Sequence, residues 1–182
     1  MLLKLYSLSD KYCNYLSNFD NKVYQNKETD RKHSRKYLGI VLNINNLNYY
    51  IPLSSPKKSD YHDKKCSKIR KSTNTIIRIK SKDRTGNEIL RGTLRISNMI
   101  PIPMYEVEEY NKSNELDKKY LDVINDELKF ISKNEKKIVK LAKLVYKQKI
   151  ENRKISYLDS CVDYKLLEKK CKEYMNNLDI HA

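Results

Sequence analysis

The chain has 182 residues, enough for one domain with a hydrophobic core, and its 38 Lys and Arg residues outnumber 23 Asp and Glu residues to give a formal net charge of +15 at pH 7. No stretch approaches the roughly 20 apolar residues that a membrane span needs. The four Cys and three His residues show no spacing typical of a disulfide framework or a metal site. We therefore expect a cytoplasmic protein that uses no metal and no cofactor and does not bind a membrane.

The positive charge is concentrated in two stretches of the first half of the chain. Residues 22–36 contain six basic and two acidic residues, and residues 57–82 contain ten basic and two acidic residues. The chain from residue 105 onward is close to balanced. Because a large net charge disfavours the compact state through self-repulsion, this distribution favours a polyanionic partner bound by the first half of the chain. A solvated basic surface without a partner is the alternative.

The first hundred residues are predicted to form short strands. Five segments have the alternating or continuous apolar pattern of β-strands: residues 2–8, 37–44, 47–53, 75–81 and 88–97. A short amphipathic helix is predicted over residues 12–19. Asn45 and Asn46 supply the turn of a hairpin between the second and third strands, and Pro52 is expected to end the third strand. Gly86 marks the next turn.

The apolar period changes to three or four residues in the last part of the chain, which indicates amphipathic helices. Ser132, followed three residues later by Glu, forms a capping-box pattern that predicts the start of a second helix. Asp163 is expected to cap the last helix. Residues 1–182 are predicted to form one α+β domain, in which residues 1–103 form most of a small, highly curved antiparallel β-barrel and several helices within residues 113–179 pack around it.

One short segment after the predicted hairpin crowds hydroxyl and ammonium groups into a turn. Ser54 and Ser55 stand between two prolines and are followed by Lys57 and Lys58. Hydroxyls and exposed backbone N–H groups in such a turn can hold a phosphate, and lysines can neutralise its charge. Small polar residues are equally common in ordinary turns, so the pattern alone is also consistent with a plain turn and solvated lysines.

The basic loop ahead of the hairpin should lie beside this turn, because the start of one antiparallel strand neighbours the end of the next. The loop carries cationic and imidazole side chains at Arg31, Lys32, His33, Arg35 and Lys36. Together the two segments could bind a scissile phosphate and stabilise the charge that develops on it. The spacing alone does not separate this activity from simple phosphate binding.

Five pieces of the sequence, spread over nearly the whole chain, resemble the ToxN/AbiQ family, the endoribonuclease toxins of type III toxin–antitoxin systems. The pieces are KLYSLSDKYCNYLSNFDNKV, YLGIVLNINNLNYYIPLSSPKK, ISNMIPIP, ELKFI and YKLLEKKCKEY. The second piece is the most specific, because GIVL followed at this distance by PLTSPK or PLSSPK is a signature of the family.

The resemblance implies a barrel similar to the Kid and MazF toxins and metal-independent cleavage of single-stranded RNA, in which the ribose 2′-hydroxyl attacks the adjacent phosphate and leaves a 2′,3′-cyclic end. Ser54 and Ser55 match the hydroxyl pair of the family, and Lys57 matches its lysine two residues beyond. The family also has a basic residue shortly before the glycine of GIVL, where this chain has Arg35 followed by Lys36. Because a guanidinium stays protonated, the general base remains open among Lys36, His33 and Ser55.

The resemblance further implies an RNA partner. The expected partner is an antitoxin RNA pseudoknot, cut from a repeated precursor by the toxin and held with it in a closed protein–RNA assembly. Cellular or phage RNA is the expected substrate, in bacterial phage defence by abortive infection. RNA contacts are expected from Tyr24, Arg31, Lys32, His33, Lys58, Lys68, Arg70, Arg78, Arg91 and Arg95.

Two other functions stay open at the level of sequence. A non-catalytic RNA-binding protein would use the same basic half of the chain and would produce no new RNA ends. A DNA-binding regulator is less well supported, because no helix-turn-helix spacing is evident.

Overall fold

A computed structural model describes residues 3–26 and 32–179 of the chain. The elements follow in the order β1 (Lys4–Leu8), α1 (Asp10–Ser17), β2 (Lys36–Ile44), β3 (Leu47–Ser54), β4 (Ile76–Lys82), β5 (Glu88–Arg95), β6 (Ile100–Pro101), β7 (Val107–Glu109), α2 (Lys118–Ile150) and α3 (Tyr164–Asp179). All seven strands precede the two long helices, and the predicted α+β class is confirmed.

The strands form one antiparallel sheet in the order β4-β5-β3-β2-β1-β7, with β6 paired to β3 off this path. β3 is the central strand, because it pairs with β2, β5 and β6. The predicted antiparallel sheet is confirmed. The path of pairing ends at β4 and β7, so over residues 3–26 and 32–179 the sheet is open and does not close into a complete barrel. β7 was not predicted from the sequence.

The hairpin of β2 and β3 forms as predicted. Asn45 and Asn46 have φ angles of 51° and 63°, which are the positive values that a two-residue turn of this kind requires. Tyr37 pairs with Pro52, so the loop before β2 lies beside the end of β3. The prediction that Pro52 ends β3 is wrong: the strand continues to Ser54. Proline is tolerated because it falls between the part of β3 that pairs with β6 and the part that pairs with β5.

The helix α2 is a single helix of 33 residues. Its N-cap is Asp117, whose carboxylate accepts the N–H groups of Lys119 and Tyr120. The predicted helix start at Ser132 is wrong, because that residue lies exposed in the middle of α2. A capping-box pattern stabilises a helix start but does not interrupt a helix that contains no Gly or Pro. The predicted cap of α3 is confirmed, since the Asp163 carboxylate accepts the Leu166 N–H at 3.1 Å.

The buried stripe of α2 packs against the sheet. Ile124, Ile131, Ile138 and Val145 are at most 1% exposed and join the main hydrophobic core. The helix contacts β2, β4 and β5, which brings its first turns to the region where β2 begins and β3 ends.

Within the part of the chain that the structure describes, no helix is long and apolar enough to cross a membrane.

Candidate active site

A cleft of about 250 Å³ opens between the start of β2, the end of β3 and the first turns of α2. Its lining combines cations, hydroxyls, an imidazole, a phenol and one carboxylate, from Lys32, His33, Ser34, Lys36, Leu53, Ser54, Ser55, Arg91, Tyr120, Val123 and Glu127. The structure therefore brings the basic loop and the hydroxyl turn together, as the hairpin register predicted.

Arg35 lies behind the cleft and holds Ser54. Its side chain is among the largest fully buried ones, and its Nη1 donates to Ser54 Oγ and to the Leu53 carbonyl, each at 2.7 Å. Its Nε donates to the Gln25 carbonyl at 3.0 Å, and its guanidinium lies 4.5 Å from the centre of the Tyr24 ring. This placement argues against the expected role of Arg35 as a direct stabiliser of the phosphate. Its donors already bind protein acceptors. Its geometry fits the positioning of Ser54, and Tyr24 packs against it.

Lys36 is a half-buried cation of the cleft. Its Nζ donates to Ser7 Oγ at 3.1 Å and lies 4.8 Å from the centre of the Tyr110 ring. Burial lowers the pKa of Lys36, and the nearby carboxylates of Glu115 and Glu108 oppose that shift. The lysine therefore has a weaker hold on its proton than an exposed lysine has.

His33 is fixed between a ring and a carboxylate. It stacks on Tyr120 with ring centroids 3.9 Å apart and planes within 4° of parallel, and its Nε2 lies 3.3 Å from Asp117 Oδ2. The same Asp117 oxygen accepts from Lys32 Nζ at 2.6 Å. The Lys32 ammonium, then the Tyr120 backbone N–H and then His33 hold the pKa of Asp117 well below its usual range, so the carboxylate stays charged. A carboxylate can only accept, so Nε2 carries the proton and Nδ1 of a neutral ring is left as an acceptor.

Two charged residues that line the far wall of the cleft are held by the sheet and by α2. Arg91 Nε lies 2.6 Å from Asp126 Oδ2 and also donates to Ser81 Oγ at 3.0 Å. Glu127 is only 6% exposed, and it sits against Gly92, where a Cβ atom would collide with the Glu127 carboxylate. Glu127 was not predicted as a site residue, although an acidic residue within the apolar stripe of a helix is a signal for one.

Lys57 and Lys58 are exposed and do not line the cleft. The backbone of Lys57 is bound to Asp60: its N–H donates to the Asp60 carboxylate at 3.0 Å, and its carbonyl accepts the Asp60 N–H at 2.9 Å. The catalytic role expected of Lys57 from the resemblance therefore stays a prediction.

The remaining predicted RNA contacts divide into buried and exposed residues. Arg78 and Arg95 are 6% and 9% exposed, and their guanidinium groups pair with buried Asp60 at 3.0 and 3.6 Å. This placement argues against the predicted contact of these two arginines with RNA, because their charge is turned into the protein. Lys68 and Arg70 are exposed, and Arg31 lies outside the described residues.

Nearly the whole chain is similar to known toxins. The sequence profile of ToxN toxins of type III toxin–antitoxin systems matches residues 4–172. The endoribonuclease ToxN of Bacillus thuringiensis subsp. kurstaki is 30% identical over 178 residues, which cover 94% of this chain and 84% of that protein. The endoribonuclease AbiQ of Lactococcus lactis subsp. lactis is 30% identical over 174 residues, which cover 96% of this chain and 90% of that protein.

A solved structure of a type III system, studied for selective inhibition of the toxin by a non-coding RNA pseudoknot, matches with a TM-score of 0.77 and 26% identity over 96% of this chain and 99% of its own. The sequence and fold matches thus both extend over nearly the full length. They confirm the resemblance predicted from the sequence motifs. This chain belongs to the ToxN family of toxins of type III toxin–antitoxin systems.

Proposed function

We propose that this chain is an endoribonuclease toxin that cuts single-stranded RNA in the cleft between β2, β3 and α2. The observation that carries the proposal is the convergence of two serine hydroxyls, a half-buried lysine and an oriented histidine in one cleft, in a family whose relatives ToxN and AbiQ are endoribonucleases. The reaction is metal-independent. The ribose 2′-oxygen attacks the adjacent phosphorus, the bond from phosphorus to the 5′-oxygen breaks, and a 2′,3′-cyclic phosphate and a 5′-hydroxyl result.

The hydroxyl turn and the cations of the cleft hold the reacting phosphate. Ser55 is exposed at the mouth of the cleft and orients a phosphate oxygen, while Ser54 is fixed behind it by Arg35. Lys36 and Arg91 stabilise the additional negative charge of the pentacoordinate phosphorus, because a partly desolvated site strengthens such interactions.

His33 is the group that accepts the proton of the 2′-hydroxyl. Arg35 does not serve, because its guanidinium stays protonated and faces Ser54. Asp117 orients the His33 ring and stabilises the imidazolium that forms, which is the arrangement of an activated general base. Lys36, the competing base, carries an ammonium that donates to Ser7, and it acts here as a cation.

The partner follows from the family. A solved type III toxin is selectively inhibited by a non-coding RNA pseudoknot, and we propose the same partner for this chain, bound in a closed protein–RNA assembly. The chain acts as one domain over residues 1–182 in the bacterial cytoplasm, and its substrates are cellular or phage RNAs. The same basic surface would serve a non-catalytic RNA-binding protein, which is the alternative.

Incubation of the purified protein, freed of bound RNA, with a single-stranded RNA in EDTA tests the proposal. The unmodified protein and a Ser132→Ala control, which removes an exposed hydroxyl from the middle of α2, should produce fragments with 2′,3′-cyclic ends. The Ser55→Ala variant should be slower by about a hundredfold or more. RNA that stays intact but is retained by the protein would rule out the nuclease and favour the binding protein.

A further inference from the structure

The segment of residues 57–72, which follows the hydroxyl turn, folds into a small structure that we call the basic hairpin. Its two sides are joined by an antiparallel bridge between Tyr61 and Ile69. At its tip the Asp63 carboxylate accepts two backbone N–H groups, at 3.1 and 2.8 Å. The basic hairpin is therefore an ordered element, although its sequence has no strand or helix pattern.

One buried carboxylate anchors the basic hairpin to the sheet. Asp60 is 1% exposed and pairs with Arg78 of β4 and Arg95 of β5, and it also accepts the backbone N–H of Lys57. Burying charges carries a desolvation cost that is offset only by close pairing, so this cluster fixes the position of the basic hairpin. Two guanidinium groups face one carboxylate, which leaves one net positive charge beneath the basic hairpin and favours an anion above it.

The outer surface of the basic hairpin has the chemistry of a nucleotide site. A pocket of about 410 Å³ is lined by three exposed cations, Lys58, Lys64 and Arg70, together with Ser59, Tyr61, His62 and Asp63. The Asp63 carboxylate is engaged by two backbone N–H groups of the same hairpin. The volume lies in the range of pockets that hold small ligands. Cations neutralise the phosphates of single-stranded nucleic acid, and aromatic rings stack on its bases.

The pocket lies close to the proposed active site along the chain. Lys58 follows Ser55 by three residues, so their Cα atoms are at most about 11 Å apart. A nucleotide next to the scissile phosphate can therefore reach the pocket.

We propose that the basic hairpin binds a nucleotide that flanks the scissile bond of single-stranded RNA. Lys58, Lys64 and Arg70 hold its phosphate, and its base stacks on Tyr61. This inference rests on the proposed function, because it assumes that the RNA enters the cleft next to Ser55.

The test compares two pairs of lysine substitutions with the same change in charge. The Lys58→Gln/Lys64→Gln variant alters the basic hairpin, and the Lys136→Gln/Lys140→Gln control alters exposed lysines of α2. The ligand is a labelled single-stranded 2′-O-methyl RNA, which cannot be cut by attack of a 2′-hydroxyl. Loss of two phosphate contacts should reduce the slope of log K against log salt by about 1.4 and the affinity by about tenfold at low salt. Equal slopes and affinities for the two pairs would overturn the proposal.

A second measurement addresses stacking and does not depend on charge. Abasic substitutions are placed one at a time along the same RNA. In the unmodified protein one of them should reduce affinity by about fivefold or more, and in Tyr61→Leu the same abasic site should cause no further loss. Additive losses at every position would contradict stacking on Tyr61. A double-stranded RNA of the same length should bind equally to the unmodified protein and to Tyr61→Leu, and a matching loss there would contradict a single-stranded ligand.

These outcomes are independent of the cleavage assay. If the unmodified protein cuts no RNA but the basic hairpin variants lose affinity as expected, the nuclease fails and the nucleotide site stands. If RNA is cut and the variants bind like their controls, the nucleotide site fails alone.

Discussion

Two basic segments flank the hairpin of β2 and β3, and they place their charges in opposite ways. In the segment 32–36, which leads into β2, Arg35 is buried, Lys36 is half-buried and Lys32 is paired with Asp117. In the basic hairpin after β3 the lysines are exposed, and the buried charge is the carboxylate of Asp60. The difference teaches that positive charge in a sequence does not by itself indicate whether the cations bind the protein or RNA. Arg35, whose donors bind protein acceptors, positions Ser54, whereas the exposed lysines of the basic hairpin are available to RNA.

The largest expected effect concerns the anchor of the basic hairpin. Asp60→Ala should lower the free energy of unfolding by about 3–5 kcal/mol, because two buried guanidinium groups lose their counter-charge. Chemical denaturation measures the change. Asp63→Ala removes a half-buried carboxylate that accepts two backbone N–H groups at the tip of the same hairpin but pairs with no buried guanidinium group, and it should change stability less. Similar losses for both variants would show that Asp60 is no anchor.

The next effect concerns His33, the proposed general base in the loop before β2. His33→Ala should reduce the rate of RNA cleavage by about a hundredfold or more, because the 2′-hydroxyl loses its proton acceptor. Added imidazole should restore part of that rate, and the restored rate should rise as the imidazole becomes neutral. The Ser55→Ala variant serves as the control, since imidazole cannot replace a hydroxyl. A rate loss in His33→Ala that imidazole leaves unchanged would indicate that His33 only anchors its loop to Tyr120.

Arg35→Lys tests whether the buried arginine acts through its geometry. A lysine keeps the charge but cannot donate at once to Ser54, Leu53 and Gln25. We expect a loss of about 2 kcal/mol in the free energy of unfolding, because buried acceptors lose their donors. Arg84→Lys, at an exposed turn, should be neutral in the same thermal or chemical unfolding measurement. If Arg35→Lys is neutral as well, the three hydrogen bonds do not hold the end of β3.

The smallest expected effect is that low pH weakens the contact between the loop before β2 and α2. Lys32, the Tyr120 N–H and His33 lower the pKa of Asp117 in the folded protein. A lowered pKa means that the stabilisation is present above the ordinary carboxyl value of about 4 and is lost as the pH falls below it. The difference in unfolding midpoint between the unmodified protein and Asp117→Asn should therefore shrink below about pH 4. A difference that grows on acidification would contradict this sign.

Local sequence patterns predicted the parts of the fold that depend on local chemistry. The turn at Asn45 and Asn46 and the cap at Asp163 are confirmed, because each depends on residues only a few positions apart. The predicted helix start at Ser132 was wrong, since a favourable capping pattern does not stop a preceding helix from continuing. The short strand β7 carries too few residues for a recognisable alternation.

The candidate site was predictable only in part. The hairpin register brought His33 and Lys36 beside Ser55, which the sequence order alone implied. An acidic residue in an apolar stripe marks Glu127 as unusual, but the place of Tyr120 and Glu127 in the cleft was not predictable, because both reach it through packing between distant segments. The burial of Arg78 and Arg95 also depends on a partner, Asp60, that no periodic pattern marks.

The residues that line the cleft lie far apart along the chain, and this has a consequence during protein synthesis. The serines of β3 and the arginine behind them leave the ribosome early, but the wall formed by Tyr120, Val123 and Glu127 belongs to α2. Asp117, which orients His33, is the cap of that same helix. A nascent toxin therefore lacks a finished cleft until α2 has emerged and packed on the sheet, so a chain released before that point does not expose the cell to cutting.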